Sequence, residues 1–492
     1  MSRVKKYLES RPFESLDTAA LSVLSALEHL ELVAPEVAAP ILAELKDQRE
    51  NLKLIASENF SSLSVQLAMG NWMTDKYAEG TPFHRFYAGC SNVDQIEKLA
   101  EDRLIELFGS DAAYVQPHSG ADANLVAFWS ILTHRIQTPE VERLGKKTLE
   151  ELTEDEYETI RKLICSQKIM GLSLRSGGHL THGYRHNLSG KMMQSVQYDV
   201  DPKTHLLDLE KVREQVKKEK PLILLIGYSA YSRKINFAEM KAIADEVGAT
   251  LMVDMAHFSG LVAGKVFTDD FNPVPFADIL TSTTHKTLRG PRGGFVLCKK
   301  AFQETVAKGC PLALGGPLPH VLAAKAIAFK EALAPEFKTY AHQVVQNAQV
   351  LAETLKKKDI PIITGGTDNH LLVMDVSRFG INGRHAENAL RLAGLTCNRN
   401  AIPEDKNGAW YTSGIRLGTP ASTTLGMKEA EMKEIGGIIE TVLKNTKPDT
   451  VAKTGEVSKV NVLVEEKALA IAKAKVKDLL GRFPLYPEIT LD

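Results

Sequence analysis

From about residue 100 to 330 the chain alternates short unbroken apolar runs with longer stretches whose apolar residues recur at helical spacing. The runs "AAYV", "PLILLIG", "ATLMVD", "ADILTST" and "GGFVLC" carry consecutive apolar residues rather than apolar residues at every second position. That is the pattern of strands buried on both faces. Between them, "ADANLVAFWSILTHRI" and "FAEMKAIADEVG" read as helices, the second closed by Gly248 as a C-terminal cap. Strands joined by helical crossovers predict an α/β fold around a mostly parallel sheet covered on both sides.

The flanks differ. Residues 1–60 are read as an N-terminal helical arm, with leucines at helical spacing in "PEVAAPILAELKDQRENL". Residues 61–330 are the large α/β domain, and residues 331–492 a small C-terminal α+β domain. In the latter, "ALAPEFKTYAHQVVQNAQVLAETLKKKD" is predicted as one long helix, "HLLVMDV" and "GIRLG" as strands, and "KALAIAKAKVKDLLGRF" as a closing helix. The charge-dense segment 136–168 interrupts the alternation and reads as an inserted, solvated helical region.

Composition narrows the function classes. The 492 residues carry 60 basic and 61 acidic side chains, so no overall field draws nucleic acid or an anionic membrane. No apolar run is long enough to span a bilayer. The five cysteines are scattered, with no Cys-x-x-Cys, which argues against a zinc site or disulfide framework and for a reducing compartment. The expectation is a cytoplasmic protein with no metal, nucleic-acid partner or membrane attachment.

The chemistry concentrates just after the apolar runs, where ligands of doubly wound sheets bind. His118, Ser119 and Gly120 follow "AAYV", Asp254 and His257 follow "LMV", and Lys286 follows the next strand in "TSTTHKTLRGPRGG". Each alone has an ordinary reading: a loop with a helix cap, a strand-end carboxylate, a surface lysine. Together they are what pyridoxal 5'-phosphate requires: an amine for its aldehyde, an acid for its ring nitrogen, and a helix N-terminus for its phosphate.

The motifs "LIASEN", "KYAEG", "YAGC", "QPHSGADAN", "GGHLTHG", "SAYS", "VDMAH", "STTHKTLRGPRGG", "GGTDNHL" and "TSGIRLGTP" occur in that order. The chain thereby resembles the serine hydroxymethyltransferases, fold-type I pyridoxal-phosphate enzymes with a seven-stranded sheet. The resemblance implies transfer of the serine hydroxymethyl group to tetrahydrofolate, giving glycine and methylenetetrahydrofolate, through an external aldimine and a quinonoid.

It also implies residue roles. Lys286 is the aldehyde-binding lysine, Asp254 the partner of the ring nitrogen, and His179 the residue stacked on the ring. His257 lies near the phenolic oxygen. Ser119 and Gly120 bind the phosphate, with Ser229, Thr283 and His285 nearby. Arg416 takes the substrate carboxylate, and Ser57, Tyr87 and Arg292 complete the pocket. Glu79 moves a proton at the hydroxymethyl end; its alternative is a structural carboxylate. Leu174, Gly178, Leu180, Asn400 and the segment Gly408, Ala409, Trp410 fall where the family contacts folate. Tyr77, Glu79, Gly315 and Gly316 reach the neighbour's cofactor, so a homodimer or a dimer of dimers is expected.

The sequence departs from the family's usual pattern at Arg175 and Ser176, at Arg289, in "LALGGP" and in "YRHNLSG". Segments carrying Arg175, Ser176 and Arg289 are expected to border the ring, and slow alanine racemisation is expected from that. Two rivals stand beside the main reading. Another fold-type I enzyme, a threonine aldolase or alanine racemase, would not need "LIASEN" and "KYAEG". A non-catalytic or RNA-binding relative would lack Lys286 or Arg416 and show a basic face.

Overall fold

Four five-residue strands, buried at every position, set the centre of the molecule. The computed structural model describes residues 2–451 and 453–491. Its large sheet has seven strands: β1 Ala112–Tyr114, β2 Lys168–Leu172, β3 Gln194–Tyr198, β4 Ile223–Gly227, β5 Thr250–Asp254, β6 Ile279–Thr283 and β7 Gly294–Cys298. The spatial order is β1-β7-β6-β5-β4-β2-β3. β7 runs antiparallel to both β1 and β6, and the other pairings are parallel. β1 therefore points the same way as β4, β5 and β6, and their carboxyl ends open on one edge.

Alternation along the strands divides the interior into two apolar layers. Leu224, Ile226, Leu251, Val253, Leu280 and Phe295 pack on one face of the sheet. Ile223, Leu225, Met252, Ile279 and Val296 pack on the other, against the helix Gly120–Leu132. Both layers exclude water, which explains the continuous apolar runs.

A third core joins Leu52 and Leu54 to the C-terminal region, where β8 Leu371–Asp375, β9 Asn398–Asn400 and β10 Gly414–Gly418 form a small antiparallel sheet in the order β8-β10-β9. Leu52–Lys53 pairs in parallel with Leu395–Thr396, so the end of the arm is stitched into this core. The predicted long helix over 332–359 is two helices, Pro319–Leu333 and Pro335–Lys357. They meet at Ala334, whose ψ of 147° is extended. Pro335 disfavours the helical conformation in the residue before it and then serves as the first residue of the next helix. That second helix gives Phe337, Tyr340 and Val344 to the large-sheet core and Leu351 and Leu355 to the C-terminal one.

Residues 136–168 contain the helices Thr138–Arg143 and Glu154–Cys165, the latter opened by a Thr153–Glu156 capping box. The arm contributes Thr18–Val33 and Pro35–Glu50, and the Arg49 guanidinium donates to the carbonyls of Leu485, Tyr486 and Ile489 near the C-terminus. Among the described residues no helix is long and apolar enough to cross a membrane.

Candidate active site

A cavity of about 390 Å³ lies where the carboxyl ends of β4, β5 and β6 face the small sheet. Ser57, Ser119, Gly120, His179, Ser229, Asp254, His257, Thr283, His285, Lys286, Arg292 and Arg416 all line it.

Lys286 sits in the loop after β6. Its backbone is fixed: the carbonyl accepts from Asn59 Nδ2 at 2.9 Å and from the Arg289 amide at 3.1 Å, and the Gly290 amide closes on Thr284 O at 2.7 Å. Its amine makes no hydrogen bond or ion pair among the described residues. Burial lowers the pKa to about 8 from an ordinary 10.5; the Asp254 charge opposes this, and Arg416 and Arg292 add to it. The result is a lysine that is roughly a tenth neutral near pH 7, far more than an ordinary lysine.

Asp254 ends β5. Its Oδ2 accepts from Asn124 Nδ2 at 2.8 Å and lies 3.0 Å from His182 Nε2, while Oδ1 accepts from the Ala256 amide at 3.0 Å. The His179 amide points at His182 Nδ1 at 3.3 Å, so that nitrogen accepts and Nε2 carries the proton given to Asp254. Burial works to raise the Asp254 pKa, but the hydrogen bonds from His182 and Asn124 help to hold the carboxyl well below its usual range. The ligating atoms of His179, His182 and Asp254 all fall within 4.8 Å of one another. Of these, His182 and Asp254 are joined directly by the 3.0 Å contact.

Three further imidazoles are held neutral, chiefly by burial. His179, whose Nδ1 lies 2.8 Å from Thr181 Oγ1, is lowered to about 4. His257 is pushed well below its ordinary value and stacks on His370, with ring centres 5.4 Å apart and Nδ1 to Nε2 at 3.2 Å. His285 is lowered to about 3, and its buried Nδ1 has no hydrogen-bond partner among the described residues.

At the far end Ser119 caps the helix Gly120–Leu132, its Oγ accepting from the Asp122 amide at 3.1 Å. A Cβ on Gly120 would come within 2.6 Å of Thr283 Cγ2. The helix N-terminus is thus brought against the end of β6 closely enough that only glycine fits, leaving its amides free for an anion. A reactive amine, an ionised buried carboxylate and this amide cradle in one cavity fit pyridoxal 5'-phosphate on chemistry alone.

Arg416, on β10, closes the cavity from the small sheet. Its Nη1 donates to Ser229 O at 2.6 Å and its Nε to Asn398 Oδ1 at 3.1 Å. No carboxylate lies within 4.0 Å of it among the described residues. Burial brings its pKa down to about 10. A largely buried guanidinium without an anion is costly unless a ligand supplies one.

Other expected residues lie elsewhere. Tyr77, Glu79 and Tyr87 form a separate cluster: the tyrosine rings meet edge to face at 5.0 Å, Tyr87 OH donates to Glu79 Oε2 at 3.4 Å, and Tyr77 borders Gly316. His118 Nε2 donates to Gly316 O at 2.9 Å, next to Gly315. Both tyrosines are exposed. Gly178 is packed behind the cavity, its carbonyl accepting from Ser229 Oγ at 2.7 Å. Leu174 is half-buried, Leu180 and the segment Gly408, Ala409, Trp410 are exposed, and Asn400 faces a narrow cleft beside Arg175.

The three departures do not border the cavity. Arg175 pairs with Asp199 at 2.9 Å, and Ser176 Oγ donates to the same carboxylate at 2.7 Å. Arg289 takes a positive φ of 63° that carries its guanidinium over the Tyr340 ring, 4.5 Å from the centroid. The expectation that Arg175, Ser176 and Arg289 border the ring is therefore not met.

Sequence reasoning missed Asn124, Ala121, Tyr228 and Ala256 in the cavity wall, and His182 behind it. Asn124 was findable: it lies four residues after Gly120, on the same helix face. His182 stands in "GGHLTHG" beside the histidine that was chosen.

The sequence model described as serine hydroxymethyltransferase matches residues 30–139 and 155–439, passing over part of the charge-dense insertion. The chain is 54% identical over 488 residues to a serine hydroxymethyltransferase of Treponema pallidum, covering 99% of this chain and 85% of that one. It is 54% identical to the Chlamydia trachomatis serovar D protein of that name, covering 96% and 95%, and 56% identical to that of Salinispora tropica, covering 95% and 98%. The chain belongs to the serine hydroxymethyltransferase family.

Proposed function

We propose that the cavity holds pyridoxal 5'-phosphate on Lys286 and that Arg416 binds the carboxylate of serine or glycine beside it. The family is pyridoxal-phosphate dependent, and the enzyme interconverts serine and glycine with tetrahydrofolate as the one-carbon partner. The finer assignments are our reading. The observation that carries them is the pairing of an unengaged Lys286 amine with an Arg416 guanidinium that has no carboxylate of its own.

When bound, pyridoxal phosphate supplies a sink for the electron pair released at the substrate Cα. Neutral Lys286 supplies the nucleophile for an aldehyde carbon. Asp254, kept ionised by His182 and Asn124, holds a proton on a facing ring nitrogen. Neutral His179 would lie against the ring face, and His257 beside its phenolic oxygen. Ser119, Gly120, Ser229, Thr283 and His285 would cradle the phosphate end, and Ser57 and Arg292 would line the substrate side. Arg416 fixes the amino acid at its carboxylate, so the bond to be broken at Cα is set by that anchor.

Tyr77, Glu79, Tyr87, Gly315 and Gly316 stand apart from this cavity, which supports a homodimer, or a dimer of dimers, in which they complete a neighbour's site. Glu79 then handles the proton of the hydroxymethyl group. Leu174, Gly178, Leu180, Asn400 and the Gly408, Ala409, Trp410 segment serve the folate side.

The test is the paired requirement. Wild-type protein with the cofactor should convert serine to glycine only with tetrahydrofolate as acceptor. Lys286→Ala should lose multiple turnover, and Arg416→Lys should raise the serine KM. Normal turnover by Lys286→Ala would refute the assignment.

A further inference from the structure

Lys325 is one of the most deeply buried charged side chains of the chain, 1% exposed, and no step above uses it. It lies on the helix Pro319–Leu333. Its Nζ donates to three backbone carbonyls: Val115 at 2.6 Å, Pro117 at 2.9 Å and Gly294 at 2.9 Å. A carbonyl only accepts, so three such contacts need three N–H donors, which an ammonium has and a neutral amine lacks. The group is therefore bound as a cation, although burial draws its pKa down to about 7. No carboxylate lies within 4.0 Å of it among the described residues. The buried Glu97 nearby is engaged elsewhere, accepting from Arg85 Nη2 at 2.6 Å and Gln116 Nε2 at 2.6 Å.

The three carbonyls are not scattered. Val115 and Pro117 belong to the segment that leads from β1 into Ser119 and Gly120. Gly294 begins β7, and its amide donates to Pro117 O at 3.0 Å. A Cβ on Gly294 would fall 2.2 Å from Ser119 O, and one on Gly293 2.6 Å from Lys325 Cε. The loop, the start of β7 and the lysine stem are thus pressed together with no space for a side chain at either glycine. The ammonium ties the root of the anion cradle to the sheet and places behind it a positive charge that has no direct ion pair, though Glu97 and Asp122 act on it from farther off.

Resting on the cofactor site proposed above, we infer that Lys325 is a positioning residue for the phosphate group: it fixes the 115–120 loop and lends its buried charge to a dianion bound at the helix N-terminus. Its influence already reaches the cavity. The neutral state of His285 is due first to burial, then to Arg292 and Lys286, with Lys325 contributing in the same direction. A bound phosphate would supply the counter-charge that the surrounding carbonyls cannot.

The experiment compares two ligands that differ only in the phosphate. Apoenzyme and its Lys325→Met variant are dialysed to equilibrium against pyridoxal 5'-phosphate and, separately, against pyridoxal. Both ligands present the same aldehyde to Lys286. The inference expects the variant to weaken pyridoxal-phosphate binding by at least ~10-fold, equal to about 1.4 kcal/mol, with pyridoxal binding changed less than ~3-fold. Inorganic phosphate should likewise raise the Tm of the wild-type apoenzyme more than that of the variant. If Lys325→Met does not fold, Lys325→Gln, which keeps two donors, serves for the same comparison. Equal losses for both ligands, or no loss for either, would overturn the inference and leave Lys325 a structural staple. Failure of wild-type apoenzyme to bind pyridoxal 5'-phosphate would instead refute the cofactor site itself.

Discussion

Arg416→Lys gives a quantitative handle on substrate recognition. A guanidinium has five N–H donors. Two are used inside the protein, on Ser229 O at 2.6 Å and Asn398 Oδ1 at 3.1 Å, which leaves three for a ligand and allows a two-bond grip on a carboxylate. An ammonium has three donors from one point. If it keeps both protein contacts, a single donor remains, so one charge-assisted hydrogen bond to the substrate is lost. Such a bond contributes about 1.5–3 kcal/mol, or roughly a ten- to hundredfold loss of affinity. The positive charge is retained, so the fall in kcat should be smaller than the rise in the serine KM. The assay pairs steady-state kinetics over a wide serine range with equilibrium dialysis of glycine into the cofactor-loaded protein. A serine KM and glycine affinity both within ~2-fold of wild type would refute the two-bond grip.

Other consequences follow from the same geometry. Reaction of the apoenzyme with an aldehyde requires neutral Lys286; because its pKa is lowered to about 8, the rate should climb as pH rises through about 8 and level off well below the ordinary 10.5, whereas a midpoint near 10.5 would contradict the burial argument. Gly120→Ala should reduce cofactor affinity sharply by forcing the helix away from Thr283, read by dialysis, with secondary structure by circular dichroism unchanged. Removing the donor at His182 (His182→Phe) should raise the Asp254 pKa, so cofactor-loaded activity should fall off at a higher pH on the acid side than in wild type; an unshifted acid limb would discard that pair as the cause. If Glu79 serves the neighbour's site, mixing Lys286→Ala with Glu79→Gln chains should restore roughly a quarter of wild-type activity through mixed dimers, each having one intact site. No recovery after verified chain exchange would place Glu79 in its own chain's site or outside both.

Five of the sheet's strands were legible as apolar runs, and the residues after them could be nominated because ligands gather at carboxyl ends; the edge strand Gln194–Tyr198 was not, because its residues are largely polar and only Tyr198 is buried. Strand order was not: nothing local in "AAYV" shows that β1 pairs with β7, more than 170 residues away, rather than with β2. The break at Ala334 was legible and passed over, since Pro335 announced it. Arg289 shows the opposite limit. One residue in the left-handed region turned a side chain three positions from Lys286 out of the cavity and onto Tyr340, and sequence spacing cannot report such a turn. Asp254 was nominated, but the groups that set its charge, Asn124 and His182, come from elements 130 and 72 residues away and meet it only in the folded sheet.

The central claim is that Lys286 alone carries the cofactor. Two buried lysines have lowered pKa values, Lys286 at about 8 and Lys325 at about 7, but only the Lys286 amine is free of hydrogen bonds and faces the cavity. Borohydride reduction of the protein loaded with pyridoxal 5'-phosphate, followed by peptide mass spectrometry, reads the attachment point directly. The account predicts one phosphopyridoxyl group per chain, on Lys286. Label on Lys325 or spread over surface lysines, or none at all, would contradict it.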